Sequence, residues 1–388
     1  MTTSDNERAA VLTGRNRDGI AEAAAVAARF AGDVTAVREL GQGNINRTYL
    51  VQTGGAAFVL QRINQAVFAE PLAVVRNFSQ ATAFLEHEND KTGGGFRFPT
   101  LRKTMAGHDC WIDAGGGVWR AQTYIDGRAI SRLARPDQAA AIGRCLGWFH
   151  RRTAEMRSDG LEVTLPGFHV LPRYLAEYDR VAAGRKARPA LERQCMAVVE
   201  SMRPQAALFQ EACADGRIAA RIVHGDPKVE NFLFDGNGEV VSLIDLDTVG
   251  PGLLHHDIGD CLRSCCNRGG EGGDAAAVRF DLHTCRAWFA GYSAAMGGLL
   301  DRHDRDLACP AITLITFELG LRFFTDHLRG DTYFRVRRRG ENLERARTQF
   351  ALMHSIVEQQ EMIRQVFKRS SDQTIKRSND QTFKRLNA

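Results

Sequence analysis

The sequence has no long apolar run, no paired cysteine motif and little lysine. No 18 consecutive residues are apolar, and the first twenty residues are polar, so we expect neither a membrane span nor a secretory signal. The nine cysteines are odd in number and contain no Cys-x-x-Cys pair, which gives no support for a disulfide framework or a zinc finger. These absences favour a cytoplasmic protein in a reducing compartment.

Lysine is scarce, and the positive charge is concentrated at one end of the chain. Only seven of the 51 basic residues are lysine. Residues 367–388 contain six basic and two acidic residues, which supply +4 of the net charge of +5 and leave +1 for residues 1–366. Because the body of the protein is nearly neutral, we expect no nucleic-acid partner.

The basic tail is a repeat, in which FKRSSDQT is followed by IKRSNDQT. One apolar residue in eight buries too little surface to offset the entropy of ordering, so we expect residues 367–388 to be disordered. The alternative is a basic arm that binds an acidic partner.

The periodicity of the apolar residues changes after about residue 125. Before it, alternating runs predict strands at 34–40, 47–52 and 57–63 and two further strands about a glycine turn within 111–125, and Pro71 predicts the start of a helix that ends near residue 86. After it, helical patterns dominate, at 141–150, 189–214, 275–296, 310–329 and 341–367. We therefore predict an α+β protein with a polar extension at 1–17, a small antiparallel β lobe at 18–125 and a larger, mainly helical lobe at 126–366.

A short β interruption among these helices carries the most informative residues. The segment reads His224-Gly225-Asp226-Pro227-Lys228-Val229-Glu230-Asn231, and Asp245-Leu246-Asp247 follows at the end of the next predicted strand. Phosphoryl transfer from ATP requires a carboxylate near the acceptor hydroxyl, oxygen ligands for Mg²⁺ and a cation at the transferred phosphate. One loop and one strand end supply all of these groups, in the order of the protein-kinase catalytic loop.

These motifs resemble the aminoglycoside phosphotransferase/choline kinase superfamily, whose fold is protein-kinase-like. The resemblance implies that 18–125 binds nucleotide and 126–366 is catalytic, with ATP as co-substrate and Mg²⁺ as cofactor. Asp226 would be the catalytic base and Lys228 would contact the γ-phosphate. Asn231 and Asp245 would hold Mg²⁺. Asp247 would either assist the metal or only fix the loop, and Asp257 would brace the catalytic loop from the following helix.

The nucleotide side departs from the superfamily pattern. Gly41, Gly43 and Asn44 lie in a glycine-containing turn, where backbone amides can approach phosphate. The usual lysine of the third strand is missing, and Gln61 or Arg62 would have to reach the phosphates instead. Strand alternation places these two side chains on opposite faces, and the sequence does not decide between them.

Within the superfamily, the sequence is most similar to the N-acetylhexosamine 1-kinase group. The segment from Arg322 to Phe334 carries this similarity, and it implies that Arg322 and Tyr333 bind a sugar. The expected product is a sugar 1-phosphate, formed at the anomeric hydroxyl of an N-acetylhexosamine or a related sugar. The alternatives are a kinase of choline, an aminoglycoside, homoserine or methylthioribose, or a pseudokinase scaffold. The sequence predicts no oligomeric state.

Overall fold

A six-stranded antiparallel sheet forms the small N-terminal lobe. The computed structural model describes residues 19–41, 45–93, 95–157, 160–184, 189–271 and 273–368. The predicted extension at 1–17 and all but the first two residues of the predicted tail at 367–388 lie outside the described residues, and those two residues are helical. The sheet has the order β1-β2-β3-β6-β4, with β5 paired to β6. The strands are β1 Val34–Glu39, β2 Arg47–Thr53, β3 Phe58–Arg62, β4 Leu101–Arg102, β5 Trp111–Ile112 and β6 Val118–Thr123.

Two helices cover the two faces of this sheet. Helix α1 (19–27) packs Ala23 and Ala27 against Tyr49, Phe58 and Trp119 on one face. Helix α2 (Pro71–Thr92) packs its own apolar side chains against Val118 on the other face. Neighbouring residues of β3 and β6 therefore face different surroundings, which decides the roles of Gln61 and Arg62 below.

The large lobe is mainly helical and contains two small sheets near its junction with the small lobe. Its helices are α3 Pro136–Thr153, α4 Leu171–Ala183, α5 Ala190–Met202, α6 Leu208–Ala214, α7 Leu254–Cys265, α8 Leu282–Met296, α9 Arg302–Arg329 and α10 Glu341–Glu358, followed by a helical stretch at 360–368. The sheets are formed by β7 Arg128–Ala129, β8 Arg221–Val223, β9 Phe232–Phe234, β10 Val240–Leu243 and β11 Gly250–Gly252, in the orders β10-β9-β7 and β11-β8. This architecture confirms the predicted α+β fold with a small β lobe and a larger helical lobe.

Helices α3 and α8 lie so close together that glycine is required where they cross. A Cβ atom on Gly143 would lie 2.1 Å from the carbonyl oxygen of Trp288, and one on Gly291 would lie 2.1 Å from that of Ala140. Any larger residue would push the two helices apart. Their contact fixes the C-terminal end of α3, which supplies a residue to the catalytic region.

Several predicted helix boundaries were wrong. Helix α9 begins at Arg302 and not at residue 310, because Asp301 and Asp304 form a reciprocal capping box ahead of it and Pro310 lies inside the helix. Helix α8 begins at Leu282 and not at residue 275, because Asp281 caps it. The predicted helix at 189–214 is broken between α5 and α6, and α4 was missed.

Helix α9 is long and apolar enough by composition to cross a membrane, and it is the one helix of the described chain that meets this test. However, 83% of the residues in its most apolar window are buried inside the protein. This burial is typical of a core helix, and α9 forms one wall of the site described below.

Candidate active site

The predicted catalytic residues converge at the loop between β8 and β9. The ammonium group of Lys228 donates to the carboxylate of Asp226, and Nδ2 of Asn231 donates to the main-chain oxygen of Asp226 at 2.7 Å. Gly225 precedes them with φ of +89°, and a Cβ atom there would lie 2.7 Å from the side chain of Thr248. The loop therefore turns sharply at Gly225 and directs Asp226, Lys228 and Asn231 to one place.

A buried aspartate on α7, Asp257, holds this loop through hydrogen bonds to its backbone. The carboxylate of Asp257 accepts the backbone N–H groups of His224 at 2.7 Å and Gly225 at 2.8 Å. It also accepts Nε2–H of His150 at 2.8 Å, and Nδ1 of His150 meets the hydroxyl of Tyr292 at 2.8 Å. The structure thus shows Asp257 bracing the catalytic loop, as the superfamily resemblance implied. It also shows that His150 holds the Asp257 carboxylate in place.

A second brace, which the sequence did not reveal, comes from His169. Its Nε2–H donates to the carbonyl oxygen of Gly225 at 3.1 Å, and its Nδ1–H donates to Glu318 on α9 at 2.9 Å. Burial alone would lower the pKa of His169, but the Glu318 carboxylate raises it above its usual value. The charged ring therefore ties the residue before Asp226 to α9. His169 does so at φ of +56°, a conformation that a non-glycine residue adopts only under local constraint.

The two predicted metal ligands lie on neighbouring strand ends. The amide of Ile244 donates to the carbonyl oxygen of Asn231 at 2.8 Å, which places Asp245 directly beside Asn231. Asp245 has φ of +66°, and burial together with the Asp247 carboxylate raises its pKa to about 7. A crowded carboxylate next to a side-chain amide oxygen suits a hard divalent cation, which would relieve the crowding. The donor set therefore fits a cation such as Mg²⁺, which Asn231 and Asp245 would hold and which would neutralise nucleotide phosphate charge.

Lys228 stays charged in this surrounding. Burial alone would lower its pKa, but the carboxylates of Asp226 and Asp245 raise it. A positive charge beside the carboxylates of Asp226 and Asp245 is suited to an incoming phosphoryl group.

The expectation that Gln61 or Arg62 reaches the nucleotide phosphates needs correction. Arg62 lies on the α1 face of the sheet, where it pairs with Glu22 at 3.4 Å and Asp113 at 3.5 Å. Gln61 lies on the opposite, inner face, but its side chain is bonded within the lobe. Its oxygen accepts both Nε and one terminal nitrogen of Arg120, and its Nε2 donates to Thr48 at 3.1 Å.

The buried cation on the inner face of the sheet is Arg120 of β6. Its guanidinium is fully buried, lies 4.4 Å from the ring centroid of Phe78 and forms an ion pair with Asp247. The other carboxylate oxygen of Asp247 accepts Nδ2 of Asn46 at 2.5 Å. Both oxygens of Asp247 are therefore bonded to the small lobe, and this residue is one of the contacts that join the two lobes.

Part of the predicted phosphate loop lies outside the described residues, namely Gly43 and Asn44. Gly41 has φ of +73°, which glycine adopts without strain. At the other end of the loop, Asn46 accepts the amide of Asn64 at 3.0 Å in addition to its bond with Asp247. The described ends of the loop are thus anchored to β1, β3 and the lobe junction.

A cavity of about 320 Å³ contains both predicted acceptor residues, and we call it the acceptor pocket. It is lined by Val67, Leu165, Pro166, Gly167, Phe168, Arg173, Tyr174, Glu177, Arg180, Arg322, Thr325, Asp326, Arg329, Tyr333 and Phe334. Arg322 projects from α9 one turn after Glu318. Phe168 lines the pocket and the next residue, His169, donates to the carbonyl oxygen of Gly225, so the pocket lies near the catalytic loop.

The position of Tyr333 is set by Asp326, whose role the sequence did not reveal. The carboxylate of Asp326 accepts the backbone amides of Thr332 at 3.0 Å, Tyr333 at 2.8 Å and Phe334 at 3.0 Å. It also accepts Nδ2 of Asn342 at 2.8 Å. One buried carboxylate thus folds the turn after α9 against the pocket and leaves the Tyr333 side chain half exposed at its edge.

Comparisons with known proteins agree with this geometry. The model of the phosphotransferase enzyme family, APH, matches residues 36–295. The solved microcompartment-associated aminopropanol kinase has a TM-score of 0.60 with 14% identity, covering 87% of this chain and 98% of that one. An aminoglycoside phosphotransferase from Alicyclobacillus acidocaldarius has a TM-score of 0.58 with 17% identity, covering 87% and 96%. Amicoumacin kinase hAmiN has a TM-score of 0.53 with 16% identity, covering 84% and 91%.

At these identities the solved structures establish only the fold, which is the expected kinase-like two-lobed fold. The match to the family model establishes membership of the family. The chain belongs to the phosphotransferase enzyme family and is an enzyme that transfers a phosphoryl group to a hydroxyl group.

Proposed function

We propose that this enzyme uses ATP to phosphorylate the anomeric hydroxyl of an N-acetylhexosamine or a related sugar. The observation that carries the proposal is that Arg322 and Tyr333 line one cavity, whose wall at Phe168 is joined through His169 to Gly225, the residue before Asp226. The segment that bears them, residues 322–334, is the part of the sequence that resembles the N-acetylhexosamine 1-kinases. The product would be a sugar 1-phosphate.

The proposed chemistry assigns one task to each residue of the catalytic loop. Asp226 accepts the proton of the attacking hydroxyl, and Lys228 meets the negative charge of the transferred phosphoryl group. An anomeric hydroxyl is more acidic than an ordinary alcohol, so Asp226 needs only modest basicity. Positioning by the two braces, Asp257 and His169, then supplies much of the rate.

Nucleotide and metal use are also supported by a structural neighbour. Amicoumacin kinase hAmiN was solved with AMP-PNP and Ca²⁺. In this chain the oxygen ligands Asn231 and Asp245 would hold Mg²⁺ beside the nucleotide phosphates. We propose ATP as the donor and Mg²⁺ as the ion.

A second cavity, of about 360 Å³, also touches Lys228, but its charges favour it less as the acceptor site. Arg263 in its wall is bonded to Asp260 at 2.7 Å, and Glu271 forms an ion pair with Arg345. These charges neutralise one another, whereas the guanidinium of Arg322 has no carboxylate partner among the described residues. We therefore place the acceptor in the pocket of Arg322 and Tyr333.

The direct test is phosphorylation of a panel of sugars, choline, aminoglycosides, homoserine and methylthioribose, with the product examined by phosphorus NMR. A 1-phosphate couples to the single anomeric proton, whereas a 6-phosphate couples to a methylene group. We expect a 1-phosphate from wild type and none from Asp226→Asn. A 6-phosphate, or turnover of amines without turnover of sugars, would reject the proposal in favour of another acceptor. Two structural neighbours are an aminopropanol kinase and an aminoglycoside phosphotransferase. An acceptor that contains an amine is therefore the principal alternative to a neutral sugar.

A further inference from the structure

We infer that the acceptor carries an anionic group, a carboxylate or a phosphate, in addition to the hydroxyl that is phosphorylated, and that Arg322 binds this group. The inference rests on the proposed function, because it concerns the acceptor of the same reaction. The evidence for it is the set of side chains that line the acceptor pocket and the charges that they carry.

Three aromatic rings of the pocket surround the guanidinium group of Arg322. The guanidinium carbon of Arg322 lies 5.2 Å from the ring centroid of Tyr174, 5.4 Å from that of Phe168 and 5.5 Å from that of Phe334. Aromatic groups in this arrangement are a usual binding site for an organic ammonium ion. Here Arg322 already fills the space between the rings, so an ammonium acceptor would find the space occupied and would be repelled by its charge.

The remaining charges of the pocket add to this positive field. Four arginines and two acidic residues line the cavity, which leaves a formal charge of +2. The two carboxylates are engaged: Glu177 pairs with Arg329 at 2.5 Å, and Asp326 accepts the backbone amides of the turn at 332–334.

The other arginines of the pocket have no such partner. Arg173 donates to the carbonyl oxygen of Pro166 at 2.9 Å. Within the described ranges, no carboxylate lies at ion-pair distance from Arg173, Arg180 or Arg322. The pocket is therefore electropositive and offers arginine N–H donors without an acidic partner.

A guanidinium in this position matches an anionic ligand in shape as well as charge. Among the described residues, the N–H groups of Arg322 make no hydrogen bond, although the side chain is partly buried. A planar guanidinium binds carboxylate or phosphate through two parallel hydrogen bonds, and such charge-assisted bonds are roughly twice as strong as neutral ones. A sugar acid or a sugar phosphate would supply a charged acceptor, whereas a neutral N-acetylhexosamine would supply only uncharged hydroxyl and acetamido oxygens.

The test uses pairs of acceptors that share a sugar ring and an anomeric hydroxyl and differ in charge. Galacturonic acid is compared with galactose, and N-acetylglucosamine 6-phosphate with N-acetylglucosamine, so that the two pairs separate a carboxylate from a phosphate. Glucosamine and choline serve as cationic acceptors. We expect kcat/KM for the anionic member of at least one pair to exceed that of its neutral partner by about 10- to 100-fold, the range of one charge-assisted hydrogen-bond pair.

Three variants test whether Arg322 causes the preference for an anionic acceptor. In Arg322→Ala the preference for the anionic acceptor should disappear, while KM for ATP stays within about twofold, and choline should become a competitive inhibitor because the aromatic space is now empty. Arg302→Ala is the matched control, since Arg302 lies on the same helix with its side chain 89% exposed. Arg180→Ala, at an exposed position, should weaken the preference partially and guards against a folding defect in Arg322→Ala.

Each outcome decides the inference. Equal or better turnover of the neutral sugars by wild type would overturn it and leave the proposed function standing. A raised KM for ATP in Arg322→Ala, with acceptor preference unchanged, would show that Arg322 serves the nucleotide and would also overturn it. Turnover of amines without turnover of any sugar would reject the inference and the proposed function together.

Discussion

The catalytic loop and the junction between the lobes are held in different ways. Two buried side chains from outside the loop, Asp257 and His169, bind the backbone of His224 and Gly225 directly. At the junction, the buried carboxylate of Asp247 receives Arg120 and Asn46 from the small lobe, and Asn77 of the small lobe donates to the carbonyl oxygens of Glu162 and Val249. We propose a division of labour, in which the large lobe sets the chemistry and the small lobe positions the nucleotide.

The largest effect should come from the catalytic carboxylate. Asp226→Asn keeps the volume of the side chain and removes its charge, so we expect kcat to fall by about 10²- to 10⁴-fold. Because Asp226 is not part of either brace, the melting temperature and ATP binding should stay unchanged. Steady-state kinetics and calorimetry check this, and a variant that keeps more than about a tenth of wild-type kcat would show that Asp226 is not the base.

The metal ligands should rank next. Asp245→Ala removes an anionic ligand and Asn231→Ala a neutral one, so we expect Asp245→Ala to reduce activity more, by at least about 100-fold at low Mg²⁺. Raised Mg²⁺ or added Mn²⁺ should restore part of the activity in both variants. Activity is measured across a metal titration, and full activity of Asp245→Ala at low Mg²⁺ is the contradicting result.

The brace should affect both rate and stability. Asp257→Asn removes at least one acceptor from the buried amides of His224 and Gly225 or from His150, and a buried unsatisfied group costs about 1–3 kcal/mol. We expect the melting temperature to fall by roughly 1–4 °C and kcat by about tenfold. Thermal unfolding beside kinetics checks the prediction. A loss of activity with unchanged stability would mean that Asp257 acts in the chemistry and not as a brace.

A substitution at the lobe junction should change the KM for ATP more than it changes kcat. Arg120→Met leaves Asp247 without its buried cation, so we expect lower stability and a rise in KM for ATP of about tenfold, with KM for the acceptor little changed. Arg62→Met is the matched control, because its exposed ion pairs on the outer face contribute at most about 1 kcal/mol. If instead Arg62→Met raised KM for ATP and Arg120→Met did not, the assignment of the two faces would be wrong.

A deletion outside both regions should have the smallest effect. Phe367 is buried and lies 4.4 Å from Phe289 between ring centroids, so the chain is cut after Lys368. The removed residues contain too few apolar side chains to dock, and we expect kcat and the melting temperature to stay within error. A drop of several degrees on thermal unfolding would show that the tail packs on the body.

The sequence predicted that the residues of the catalytic loop lie together because they are close in the chain. Asp226, Lys228 and Asn231 fall within six consecutive positions, so their spacing alone predicts that they meet. Arg120 and Asp247 are 127 residues apart, and His169 and Glu318 are 149 apart, so only the fold brings them together. A signal for Arg120 was nevertheless present. Trp119 and Ala121 belong to one face of β6, and a charged residue between them on a central strand has to be buried with a partner.

The same reasoning explains the errors in the small lobe and in the helices. The sequence showed that Gln61 and Arg62 face opposite ways, but it did not show that α1 covers the Arg62 face. The start of α9 was misplaced because Pro310 is a common first helical residue, and the capping pair Asp301 and Asp304 was overlooked. In each case a tertiary or capping contact outweighed a local preference.

Hydrogen exchange of backbone amides tests most directly whether the catalytic loop is set before the nucleotide arrives. The amides of His224 and Gly225, bonded to Asp257, are compared with the amide of Asn64, bonded to Asn46 at the lobe junction. We predict that the two loop amides exchange slowly in the free enzyme and equally slowly with AMP-PNP and Mg²⁺, whereas the amide of Asn64 exchanges faster in the free enzyme and slows when the nucleotide is added. Fast exchange of His224 and Gly225 that slows only on nucleotide binding would contradict the account.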